Sequence, residues 1–119
     1  MSDDVISRFF ATSRAGDVQA AVECFAEDGV WISPEGSEPG TLYCKSEIGG
    51  LMVEMNRYRD QLLSQGIDGY FDPPVMFGDG EAVVRWTVKA SDGKILQRGV
   101  DLFVVRDDKI VLKDVYHKA

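Results

Sequence analysis

The sequence predicts an α+β domain in which helices pack on one face of a curved antiparallel sheet. Apolar residues recur at helical spacing through the first half of the chain, and segments rich in β-branched and aromatic residues fill the second half. Short Gly/Asp turns separate those segments, so helices come first and a strand meander follows.

Val5, Ile6, Phe9 and Phe10 fall on one helical stripe behind Ser2-Asp3-Asp4, whose side chains can cap free amides, and Gly16 ends this helix. Asp17 starts a shorter helix carrying Val18, Ala21, Val22 and Phe25, which the Asp28-Gly29 turn is expected to close. Val30, Trp31 and Ile32 form a brief strand that breaks at Pro34, and residues 34–44 read as a loop whose Pro and Gly content suits mobility. Over residues 45–65, Ile48, Leu51, Met52, Met55, Tyr58 and Leu62 repeat at three- and four-residue intervals up to Gly66, predicting a long third helix. Four antiparallel strands follow at about 69–77, 81–90, 94–106 and 109–117, divided by Gly78-Asp79-Gly80, Ser91-Asp92-Gly93 and Asp107-Asp108.

A chain of 119 residues suits one domain with one core, here 1–119, and its 45% apolar content is enough for that core. The net charge of −7 works against a polyanionic partner, so neither nucleic acid nor an anionic membrane is expected. Cys24 and Cys44 lie in no C-x-x-C pair and near no histidine cluster, so no metal ligand set is read and both are expected to be reduced and buried. The acidic start is unlike a signal peptide and no apolar run reaches membrane-helix length, which gives a cytoplasmic protein by default.

Three strings stand out: Arg8-Phe9 with Ala15-Gly16-Asp17 and Phe25-Ala26-Glu27-Asp28-Gly29; Pro34-Glu35-Gly36-Ser37-Glu38-Pro39; and Gly99-Val100-Asp101-Leu102-Phe103 with Lys109-Ile110-Val111. In turn they resemble the opening helices, a loop at the pocket mouth and the final hairpin of the ketosteroid isomerase and SnoaL-like polyketide cyclase family, within the nuclear transport factor 2-like superfamily. The resemblance implies a cone: a curved antiparallel sheet wrapped around the long helix, with two shorter N-terminal helices and an apolar pocket inside.

It also implies site residues. The isomerases of that family shift a proton with a carboxylate base while a tyrosine and a protonated aspartic acid hold the enolate oxygen. The matching positions here are Ser33 for the base, Phe9 for the tyrosine and Asp101 for the acid, so only the acid is retained. Asp101, flanked by Val100, Leu102 and Phe103, is a pocket acid if it points inward; otherwise it is a wet-face carboxylate or pairs with Arg85 or Arg98. His117, the single histidine, is a candidate base if the last hairpin's register turns it inward, or a solvated residue near the C-terminus. Glu35, beside the missing base, is a candidate substitute or a solvated loop residue.

Phe9, Trp31, Ser33, Met52, Met55 and Tyr58 are the candidate ligand contacts of the first half, and Trp86, Val88, Phe103 and Tyr116 those of the second. Tyr43 and Tyr116 are possible hydroxyl donors. Two functions fit. One is a cofactor-free isomerase- or cyclase-like enzyme acting on a small apolar carbonyl compound through Asp101, with His117 or Glu35 as base. The other is a non-catalytic ligand-binding or dimerisation module. Homodimer formation through the sheet is what the resemblance implies, with Val100, Leu102 and Val104 as interface candidates because they alternate with Asp101.

Overall fold

The computed structural model describes residues 4–118. Among the described residues, three helices, α1 (Val5–Arg14), α2 (Val18–Glu23) and α3 (Lys45–Ser64), pack against one curved sheet of seven strands. The strands are β1 (Phe25–Ser33), β2 (Thr41–Cys44), β3 (Asp68–Phe71), β4 (Val75–Phe77), β5 (Glu81–Lys89), β6 (Ile95–Arg106) and β7 (Lys109–His117). Their order is β2-β1-β7-β6-β5-β3, with β4 also pairing β5. This is the expected α+β architecture, with the helices on the concave side of an open sheet.

Local chemistry sets the helix starts. Asp4 caps α1 by accepting the Ser7 amide at 2.9 Å, and Asp17 caps α2 by accepting the Ala20 amide at 3.2 Å. Ser2 and Asp3, read as part of the first cap, lie outside the described residues. The α1 stripe buries Val5, Ile6 and Phe9, and α3 buries Ile48 and Met52. Phe9 is the hub of the core: its ring meets those of Phe10, Phe25, Trp31 and Phe103 edge-on at centroid distances of 5.3 to 6.4 Å.

Several expected boundaries move. Phe25 belongs to β1 rather than α2, and Asp28-Gly29 lies within that strand instead of closing a helix. A Cβ at Gly29 would come within 2.7 Å of the Ile110 carbonyl oxygen, so glycine here permits close passage beside β7 rather than a turn. The register of β1 against β7 shifts between Phe25 and Val30, which marks the same irregularity. The segment read as one strand over 69–77 divides into β3 and β4 because Pro73 and Pro74 have no amide hydrogen for the ladder. Residues 34–44 are not all loop, since 41–44 form β2 against β1.

The sheet is mixed rather than antiparallel, because β1 runs parallel to β7. The chain between them crosses the domain through α3, the kind of long connection that parallel neighbours require. Cys24 is buried as expected, but Cys44 is exposed: it ends edge strand β2 and caps α3 at the surface. The Asp107-Asp108 turn joins β6 to β7 with both residues at positive φ, 54° and 58°, which fits a two-residue hairpin loop. Among the described residues no helix is long and apolar enough to cross a membrane.

Candidate functional site

In its first half α3 buries Ile48 and Met52 against the core, but farther along the helix Met55 and Tyr58 are 47% and 62% exposed. Helix and sheet part here, leaving a cavity of about 640 Å³ between α1, α3, β3 and the inner face of the sheet. That volume is within the usual range for small-molecule sites. Its walls include Phe9, Phe10, Trp31, Met52 and Val88, with Arg14, Arg59 and Asp68 among the few charged lining groups.

The other charged lining group is Lys113. Its side chain is only 5% exposed, and Nζ lies 3.3 Å from Asp101 Oδ2, whose side chain is 2% exposed. The ammonium also stands 3.8 Å from the centroid of the Trp31 ring and 5.8 Å from those of Phe9 and Phe103, a cation held against aromatic faces. Burial pushes the Lys113 pKa below the ordinary lysine value, and the Asp101 charge opposes that shift without cancelling it.

Sheet register explains how the pair forms. Phe103 lies opposite Lys113 and Asp101 opposite Val115, so Asp101 and Lys113 are diagonal neighbours across β6 and β7 on the inner face. Asp101 is fixed from its other side by Trp86, whose Nε1–H donates to Oδ1 at 3.0 Å. Trp86 is directly opposite Gly99 in the ladder, and a Cβ on Gly99 would lie 2.5 Å from Trp86 Cζ2. The missing side chain at residue 99 lets the indole lie across β6 and reach the carboxylate.

The structure brings together six of the expected ligand contacts: Phe9, Trp31, Met52, Met55, Tyr58 and Val88 all line the cavity. Asp101 is inward and buried, but it sits behind Lys113 and outside the cavity lining, and its ion partner is Lys113 rather than Arg85 or Arg98. Phe103 is wholly buried in the core, and Trp86 is engaged with Asp101. Ser33 is buried, does not line the cavity, and its hydroxyl has no hydrogen-bond partner among the described residues.

Three other candidates lie away from the cavity lining. Tyr116 projects from the outer face, since it alternates with the inward Val115, and its hydroxyl donates to Asp114 at 2.9 Å. His117 faces the same side as Val115 and Lys113, but at the exposed end of β7, where its Nδ1 is 3.2 Å from Gln97 Nε2. Glu35 is exposed on the loop before β2. Tyr43, weighed as a hydroxyl donor, packs half-buried against the core.

Lys113 is the residue that sequence reasoning missed, although a signal was present. The register that would turn His117 inward also turns in Lys113, four residues earlier and therefore deeper in the sheet. Among the described residues no group of three or more His, Cys, Asp or Glu side chains could hold a metal ion.

Comparison with known proteins follows the same outline. A search of curated proteins finds no match. Among solved structures, a nuclear transport factor 2-like protein of unknown function from Mesorhizobium loti is 23% identical, with a TM-score of 0.69 over 97% of this chain and 88% of that one. A candidate polyketide cyclase from Pseudomonas putida is 18% identical, with a TM-score of 0.67 over 96% and 89%. A protein of unknown function with a cystatin-like fold from Xanthomonas campestris is 17% identical, with a TM-score of 0.71 over 97% and 88%. At these identities the likeness establishes fold alone, while the SnoaL-like domain model matches residues 6–113 directly. With most of its length matched, this chain belongs to the SnoaL-like family.

Proposed function

We propose that the cavity binds a small apolar carbonyl compound, of steroid- or polyketide-like character, with its carbonyl oxygen at Lys113. The observation that carries this reading is one buried ammonium, backed by Asp101, set into the wall of a largely apolar cavity. Apolar walls favour the body of such a ligand through burial, and a charged donor in low dielectric favours an oxygen that bears or develops negative charge. Lys113 with Asp101 thus takes the place that the resemblance assigns to an oxyanion tyrosine and an aspartic acid. Asp101 acts through the lysine, fixing its position and balancing its charge.

The second half of an isomerase, a base near the ligand's α-carbon, has weaker support. Ser33, Glu35 and His117 do not line the cavity, and the lining carboxylate Asp68 is already engaged by Arg14 at 3.3 Å and by the Gly69 amide at 2.7 Å. This favours carbonyl binding over ketosteroid-type proton transfer and keeps a non-catalytic binding module as the second reading.

The test compares β-tetralone with tetralin, its carbonyl-free analogue, by tryptophan fluorescence titration. The ketone is expected to bind about tenfold tighter, as one charge-assisted hydrogen bond supplies, and Lys113→Met should abolish the difference. Equal affinities in the native protein would overturn the assignment. Deuterium uptake at the ketone's α-carbon then separates the enzyme from the binding module.

A homodimer through the outer sheet face is part of the same proposal. Val100, Leu102 and Val104 lie on the face opposite Asp101 and are half-buried, and Leu42, Val75 and Tyr116 extend that face with exposures of 53%, 67% and 52%. An apolar sheet face of this kind suits self-complementary pairing. Sedimentation should give a dimer that Leu102→Glu converts to monomer, and a monomeric native protein would overturn it.

A further inference from the structure

We propose that Lys113 is also a nucleophile, which captures apolar aldehydes entering the cavity as a protonated imine. The inference rests on the reading that the cavity admits apolar carbonyl compounds, and it adds a covalent step at the same atom. Three features of the site support it. Lys113 is a cavity-lining residue, and the proposal sets the ligand carbonyl against its amine. The aromatic rings of Phe9, Trp31 and Phe103 surround the amine and exclude the hydration shell that keeps surface lysines protonated. Asp101 is 3.3 Å away and can hold the proton that Nζ must release before it attacks.

The step balances within this pair. The ammonium passes one proton to the Asp101 carboxylate, and the freed lone pair on Nζ forms a bond to the carbonyl carbon as the C=O π pair moves to oxygen. That oxygen takes a proton from nitrogen, giving a neutral carbinolamine. Asp101 then returns its proton to the hydroxyl, the C–O bond breaks with loss of water, and the nitrogen lone pair completes the C=N bond. Overall, an ammonium and an aldehyde become a protonated imine and water, with Asp101 a carboxylate at both ends. The product keeps one positive charge opposite Asp101 and beside Trp31, so capture leaves no buried charge uncompensated. The shift of Lys113 below the ordinary lysine pKa acts in the same direction, enlarging the share of free amine near neutral pH.

The other lysines differ in kind. Lys45 is paired with Glu23 and Glu27, and Lys89, Lys94, Lys109 and Lys118 are exposed.

The experiment incubates the native protein with trans-cinnamaldehyde, reduces with sodium borohydride and maps the adduct by peptide mass spectrometry. In parallel, cinnamyl alcohol and the aldehyde are titrated by tryptophan fluorescence. The expected result is a near-stoichiometric reduced adduct on Lys113, ahead of every exposed lysine, and its loss in Lys113→Arg. If aldehyde and alcohol both bind but the adduct is absent from Lys113 or spread over surface lysines, the imine is overturned and the binding reading survives. If neither binds and no adduct forms on Lys113, both fall. The native peptide map decides the question even where Lys113→Arg fails to fold.

Discussion

The inner end of the cavity and its mouth are built on opposite plans. At the inner end, Lys113 lines the wall and is backed by Asp101 and Trp86 from adjacent strands whose register fixes each side chain, and the polar atoms of the ion pair are buried. At the mouth, Met55, Tyr58, Tyr70 and Phe71 come from a helix flank and an edge strand and are close to half-exposed or more. A buried ion pair must stay in place because any displacement leaves a charge in low dielectric, whereas exposed methionine and aromatic side chains can repack around different shapes. The inner end therefore suits a fixed chemical task and the mouth suits variation in what is admitted.

The largest test of this contrast removes one partner of the pair. Asp101→Ala strands the Lys113 ammonium in an aromatic pocket, and a loss of ~3–5 kcal/mol is expected in urea unfolding. The double change Asp101→Leu with Lys113→Met should regain most of that stability, because breaking the pair costs more than replacing it with apolar groups. If the single variant were as stable as the native protein, the inner end would be no more rigid than the mouth.

A smaller loss is expected from Gly99→Ala. The new Cβ would meet Trp86 Cζ2, the Tyr116 carbonyl oxygen and His117 Cα, so indole and strand must both move, at a cost of about 1–3 kcal/mol. Loss of the Trp86 Nε1–H hydrogen bond to Asp101 should also show as a shift of the indole proton resonance. An unmoved resonance would mean that residue 99 does not position the carboxylate.

These two positions show how far the sequence could be read. Helix stripes, Asp caps and Gly/Asp turns are local signals, so α1, α3 and the β5-β6-β7 meander were legible. Six residues of the cavity wall followed from apolar spacing together with the family's hollow core. What stayed hidden depends on partners distant in the chain. Gly29 reads as a turn until Ile110 is placed beside it, and Tyr116 reads as a pocket hydroxyl until the register assigns it to the outer face. Lys113 was hidden for a different reason: a lysine in a strand ordinarily marks the wet face, and only its diagonal relation to Asp101 makes an inward lysine tolerable.

At the mouth the balance between stability and binding should reverse. Met55→Ala and Tyr58→Ala remove exposed side chains, so stability should change by less than about 0.5 kcal/mol. Affinity for β-tetralone is nevertheless expected to fall several-fold, since both residues line the cavity. A large loss of stability with unchanged binding would break the comparison, because the mouth would then be structural.

The smallest effect concerns the start of α3, the helix that carries much of the mouth. Glu47 accepts the Cys44 amide at 3.0 Å, and this hydrogen bond holds its carboxyl below the usual glutamate range. A carboxylate whose pKa is depressed on folding contributes stability that is fully present above its unfolded value, and that contribution is lost as pH falls through the folded value. Glu47→Gln keeps an oxygen able to accept the amide but cannot titrate. The native protein should therefore be slightly more stable than the variant at neutral pH, with the difference in urea midpoints closing as pH falls below the glutamate range. Because Glu47 is at the surface, added salt should narrow the neutral-pH gap as well. A gap that persists unchanged into acid would place the Glu47 contribution in packing rather than charge, and the start of α3 would then resemble the interlocked inner end more than the adaptable mouth.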